Sequence, residues 1–174
     1  MNLPNKLTIG RVLAVPAFIA VLMLGHYYAS AAIFVLASLT DMLDGMIARK
    51  MNLVTNFGKI MDPLADKLLV MSALVCLVQL GDVPGWMAIV VLAREFTVTG
   101  LRSVAAAGGA VIAAGTTGKV KTILQMVAIT ALLLRNWPFS LIGLPFADIM
   151  LWAAVAMTVV SGVEYIVKNK EAFS

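Results

Sequence analysis

Asp41-Met-Leu-Asp44-Gly45-Met-Ile-Ala48-Arg49, followed by Gly58-Lys-Ile-Met-Asp62-Pro-Leu-Ala-Asp66, is the stretch on which the reading of this chain turns. Its four aspartates stand at the ends of long apolar segments in a chain that is 61% hydrophobic. An ionised carboxylate in or near hydrocarbon costs several kcal/mol unless something compensates it, so four together imply a cation. Asp41 and Asp44 are three apart and Gly58, Asp62 and Asp66 are spaced by four, which puts each set on one face of a helix. A short turn around Asn52 to Asn56 would join the two helices antiparallel and bring the acidic faces together. Four converging carboxylates repel one another without metal. With it they make an oxygen-rich site suited to two divalent ions, Mg²⁺ or Mn²⁺. Gly45 and Gly58 leave those faces open, so that a phosphorylated group can approach the backbone. Phosphoryl-type transfer is the natural task of such a site, with one carboxylate accepting a proton from an attacking hydroxyl.

Composition sets the surroundings. Only 13% of the 174 residues are charged, about half the share usual in a soluble domain. Apolar stretches of about 20 residues, the length that crosses a bilayer, recur along the chain. The expected fold is an all-α integral membrane protein, one domain over 1–174, with six transmembrane helices at roughly 10–25, 30–49, 58–80, 85–106, 119–135 and 146–167. Gly25, Gly81, Pro84, the Ala/Gly-rich stretch 105–118 and Pro138 to Pro145 punctuate them. Leu3, Leu7 and Ile9, interleaved with Asn5, Lys6 and Arg11, fit a short N-terminal helix lying in the interface. An apolar first segment behind Lys6 and Arg11 also resembles a secretory signal, but the spans that follow favour a retained helix.

With both termini inside, Lys6, Arg11, Arg49, Lys50, Lys59, Lys67, Arg102, Lys119, Lys121, Lys168 and Lys170 fall on the cytoplasmic side, while Arg135 falls outside. Trp86 and Trp137 then mark the outer interface. The net charge of +4 is not clustered, so it fits membrane orientation and not nucleic-acid binding. Cys76, the one cysteine, lies in an apolar run and is expected to be a buried, inert thiol; His26, the one histidine, lies in the first outer loop and is given no chemistry.

The pattern D-x2-D-G-x2-A-R-x8-G-x3-D-x3-D specifies eight positions over residues 41–66. It resembles the signature of the CDP-alcohol phosphotransferase family, integral membrane enzymes of phospholipid synthesis, at every specified position. The resemblance implies metal ligation by Asp41, Asp44, Asp62 and Asp66, with Asp66 also the general base. It implies that Gly45, Ala48, Arg49 and Gly58 receive the cytidine diphosphate group, joined by Asn5, Thr8 and Arg11. A homodimer is implied as well. The absence of an organelle-targeting segment places the expected membrane in a bacterium, as a multi-pass cytoplasmic membrane protein with its active site facing the cytoplasm.

The acceptor is read from the fourth span and the stretch after it. Arg94, Arg102, Lys119 and Lys121 can bind a phosphate that the acceptor already carries. Glu95 and Arg102, seven apart, share a helical face of that span, and an internal Arg–Glu pair can equally serve as structural glue. The set resembles the branch of the family whose donor is CDP-diacylglycerol and whose acceptor is sn-glycerol 3-phosphate. Inositol phosphate would need a similar pocket, and phosphatidylglycerol is a further candidate acceptor. In a different class, a divalent-cation transporter would also carry intramembrane aspartates, but would have no need of Gly45, Ala48, Arg49 and Gly58.

Overall fold

The computed structural model describes the backbone of residues 3–50, 56–107 and 115–169, and side-chain surroundings for 9–40, 64–65, 67–106 and 115–169. Six α-helices and one short 3₁₀ turn, with no strand, make up the described residues: α1 Leu3–Met23, α2 Tyr27–Lys50, α3 Asn56–Gln79, α4 Gly85–Ala107, α5 Thr116–Leu133, the 3₁₀ turn Phe139–Ile142, and α6 Phe146–Lys168. Each lies within a few residues of an expected span. The exception is the N-terminus: α1 is one helix from Leu3, so no separate interfacial helix precedes it. Pro4 falls in the first turn, where proline is tolerated, and Gly10 costs about 1 kcal/mol, too little to end a helix. Of the turn expected around Asn52 to Asn56, 52–55 lie outside the described residues, and Asn56 already begins α3.

By length and composition, α6 is the one described helix apolar enough to cross a membrane; Ile9–Met23, Tyr27–Thr40 and Lys67–Gln79 are shorter apolar helical stretches. Trp152, Val159, Val160, Val163, Ile166 and Val167 of α6 are exposed, an apolar outer surface that water would not favour.

The chain forms two compact units, Met1–Leu80 with Leu133–Arg135, and Gly81–Leu132 with Asn136–Ser174. In the first, α1 is the shared packing partner of α2 and α3. Ala65, Leu69, Ala73 and Leu77 form a buried stripe at four-residue spacing on α3. Its alanines allow close helix approach, as does the pair Ala31 and Ala37 on α2. Phe18 of α1 and Phe34 of α2 fill the gap between those two helices, ring centroids 6.1 Å apart. Gly25 turns α1 into α2 with φ +84°, a region that L side chains rarely adopt, and Arg135 lies 3.9 Å over the Tyr27 ring. Cys76 is buried, as expected.

In the second unit, α4 packs on α6, and Trp86 meets Trp152 at 5.5 Å. The buried stripe of α6 runs Ala147, Leu151, Ala154, Thr158, Ser161, Tyr165. Two of its hydroxyls are satisfied within the helix, Thr158 donating to the Ala154 carbonyl at 2.6 Å and Ser161 to that of Thr158 at 3.1 Å. Asn136 organises the turn before α6: its Nδ2 donates to the Leu144 carbonyl at 2.6 Å and its Oδ1 accepts from the Ala147 N–H at 3.0 Å. The second bond satisfies one of the free N–H groups at the start of α6.

Candidate active site

The acidic pattern falls on two helix ends. Asp41, Asp44, Gly45, Ala48 and Arg49 lie in the last turns of α2, and Gly58, Asp62 and Asp66 in the first turns of α3. Both runs are helical in backbone, so the spacings of three and four do place each set on one face. Only 51–55 separate the end of α2 from the start of α3, so the two acidic segments belong to neighbouring ends. The side chains of these eight residues, and of Asn5 and Thr8 in the first turns of α1, lie outside the described residues. Arg11 is described: it sits on α1 one turn before Val15, 3% exposed. A guanidinium that deep needs negative charge or hydrogen-bond acceptors around it.

The basic residues are built on the second unit. Arg94 and Glu95 are neighbours on α4, with an Nη1 to Oε1 distance of 3.1 Å. Glu95 also takes the ammonium of Lys121, from α5, on the same carboxylate oxygen. The three side chains are nearly enclosed, at 14%, 13% and 3% exposure for Arg94, Glu95 and Lys121. Glycines on two other helices make room for the guanidinium. A Cβ at Gly162 of α6 would sit 3.1 Å from Arg94 Cγ, and one at Gly118 of α5 would sit 3.6 Å from Nη2. Arg102, two turns beyond Arg94, lies over the ring of Tyr165 on α6, 5.5 Å from its centroid.

Structure thus brings Arg94 and Lys121 onto one carboxylate and seats Arg102 against α6. Lys119 is separate: it is exposed, and two residues from Lys121 on a helix means a different face. Glu95 pairs with Arg94 and Lys121; Arg102, which shares its face of α4, finds an aromatic partner. Gly162 and Tyr165 were not singled out from sequence. Their one signal there is a glycine and a tyrosine three apart near the end of a mainly apolar span.

Three cations against one carboxylate, inside a helical unit, make an environment for an anion. On the chain as a whole the decisive finding is a family model, for CDP-alcohol phosphatidyltransferase, that matches residues 1–160. The chain belongs to the CDP-alcohol phosphatidyltransferase family. Individual phosphatidyltransferase relatives match over nearly the whole of this chain. It is 51% identical to the CDP-diacylglycerol–glycerol-3-phosphate 3-phosphatidyltransferase of Bacillus subtilis (strain 168), over 98% of this chain and 96% of the relative. The protein of that name from Rickettsia bellii (strain RML369-C) is 43% identical over 99% and 97% of the two chains. A probable phosphatidylglycerophosphate synthase of Mycobacterium tuberculosis (strain ATCC 25618 / H37Rv) is 41% identical, over 96% and 81%. The family resemblance read from residues 41–66 is therefore borne out over the chain's length.

Proposed function

We propose that this phosphatidyltransferase moves the phosphatidyl group of CDP-diacylglycerol to sn-glycerol 3-phosphate, giving phosphatidylglycerol phosphate and CMP. The observation that carries this reading is the 51% identity, over nearly the whole of both chains, to a relative named for that reaction. The enclosed cluster of Arg94, Glu95 and Lys121 supports it, because an acceptor that already bears a phosphate needs cations to receive it.

The family is generally divalent-cation dependent. The donor set fits such ions: four carboxylates and no sulfur or imidazole, each pair one helical turn apart on α2 or α3. Asp41, Asp44, Asp62 and Asp66 would hold two ions, Mg²⁺ or Mn²⁺. Bound there, the ions supply positive charge to the pyrophosphate and to the departing CMP. Gly45, Ala48, Arg49 and Gly58 receive the cytidine diphosphate group, with Asn5, Thr8 and Arg11. Arg94, Arg102, Lys119 and Lys121 bind the acceptor's phosphate, and Glu95 limits the repulsion among the cations it joins. Asp66 takes the proton from the 1-hydroxyl of glycerol 3-phosphate as that oxygen bonds to the phosphorus carrying diacylglycerol. The bond from this phosphorus to the CMP oxygen breaks, and CMP leaves.

In the same reading the chain works as one domain, as a homodimer in the bacterial cytoplasmic membrane. All six helices cross the bilayer with both termini inside, and the active site opens to the cytoplasm. The distribution of lysine and arginine supports that orientation. Trp86 and Trp137 are both exposed, and that orientation would put them at the outer interface, where such rings are favoured.

The test is CMP release by purified protein with CDP-diacylglycerol and Mg²⁺ or Mn²⁺, comparing glycerol 3-phosphate, inositol phosphate and phosphatidylglycerol. Release with glycerol 3-phosphate, lost on chelation and restored by either metal, is expected. Release with another acceptor alone would overturn the specificity. No release with any acceptor, together with metal flux into liposomes, would replace the enzyme by a transporter.

A further inference from the structure

Tyr165 of α6 is 8% exposed, and its hydroxyl is buried without a hydrogen-bond partner among the described residues. A buried hydroxyl left unpaired destabilises a fold, whereas phenylalanine would fill the same space without that penalty. Packing therefore accounts for the ring and not for the oxygen.

The surroundings of the ring point to what the oxygen is for. Tyr165 lies under the guanidinium of Arg102, and Arg102 Nε is itself buried with no partner among the described residues. Arg94 Nε is in the same condition. The α6 segment meets both arginines of α4, Arg94 through Gly162 and Arg102 through Tyr165, three residues further on. Three donors on α4 and α6, two from guanidinium groups and one from a phenol, thus stand buried without a partner among the described residues. That set suits an anion with several acceptor oxygens.

We propose that Tyr165 is a specificity-determining residue of the acceptor site, its ring holding Arg102 and its hydroxyl donating a hydrogen bond to the acceptor's phosphate. This rests on the reading that the acceptor is phosphorylated and that Arg102 binds its phosphate. It adds α6 to a site otherwise drawn from α4 and α5.

Tyr165→Phe in the purified full chain tests it, because the ring and its stacking on Arg102 remain while the hydroxyl is lost. A hydrogen bond to a charged group of this kind corresponds to about a tenfold change in affinity. The KM for glycerol 3-phosphate is expected to rise by about that factor, with the KM for CDP-diacylglycerol unchanged. Without substrates, the variant's thermal midpoint should equal or exceed that of the parent. In the parent, glycerol 3-phosphate alone should raise the midpoint, and Tyr165→Phe should reduce that rise. An unchanged KM for glycerol 3-phosphate would overturn the proposal, as would equal rises for both substrates with a lowered midpoint. If the parent protein shows no release dependent on glycerol 3-phosphate, the proposed function fails and this inference with it. If the parent responds and Tyr165→Phe does not differ from it, only the role of Tyr165 is lost.

Discussion

The acidic segments of the first unit and the basic cluster of the second are built in opposite ways. Asp41, Asp44, Asp62 and Asp66 sit within 26 residues, on two consecutive helices joined by a five-residue link. Arg94, Glu95, Arg102, Lys121, Gly118, Gly162 and Tyr165 come from three helices and span most of the second unit. A local constellation is set by helical register, so its spacing alone identifies it. A dispersed one exists only once helices pack, and its partners cannot be counted off along the chain. Charges follow the same division: in the proposed function the acidic set takes added cations, while the basic set already contains Glu95 as a partial counter-charge.

Substitutions in each region should separate chemistry from acceptor binding. The largest effect is expected in the acidic region. Asp66→Asn should lower kcat by a factor of about 100 or more, the scale of general acid–base catalysis, while CDP-diacylglycerol still binds. Full turnover in that variant would remove Asp66 from the role of base.

Lys121→Met should act on stability as well as binding. Removing one partner of a buried ion pair costs roughly 3–5 kcal/mol, and the lower figure applies because Arg94 stays 3.1 Å from Glu95. Denaturant unfolding in detergent measures that loss, and the KM for glycerol 3-phosphate should rise alongside it. Stability equal to the parent would mean that the Glu95–Lys121 contact contributes nothing to the fold.

Arg102→Ala should raise the KM for glycerol 3-phosphate about tenfold and leave that for the lipid near its parent value. Equal effects on both substrates would erase the distinction between the two regions. The smallest change is expected from Lys119→Ala. An exposed cation contributes within about 1 kcal/mol, so the acceptor KM should rise no more than about fivefold, and less at high salt. A larger loss than that of Arg102→Ala would show that the exposed face of α5 dominates acceptor capture.

Much of this architecture is legible in the sequence. Helix count and approximate ends follow from the apolar runs and from glycine and proline at Gly25, Gly81, Pro84 and Pro138, because those residues interrupt helices for steric reasons. The family was legible because eight positions between Asp41 and Asp66 are tied by register within two helices. The start of α1 was misread as a separate helix, since amphipathic spacing near a terminus does not say whether the next span continues it. Arg102 was placed correctly on the Glu95 face of α4, but its neighbour is Tyr165, 63 residues away in the chain.

The sequence by itself determined the helical class, the four carboxylates on two helix ends and the family to which the chain belongs. Each of these depends on residue type and on periods of three and four within one helix. Tertiary structure alone decided that Lys121 is buried on Glu95 while Lys119 stays exposed, and that Gly162 admits Arg94. It also decided that Tyr165 lies under Arg102 with its hydroxyl unpartnered among the described residues. Those facts depend on which faces of α4, α5 and α6 meet, and close packing between helices sets that choice.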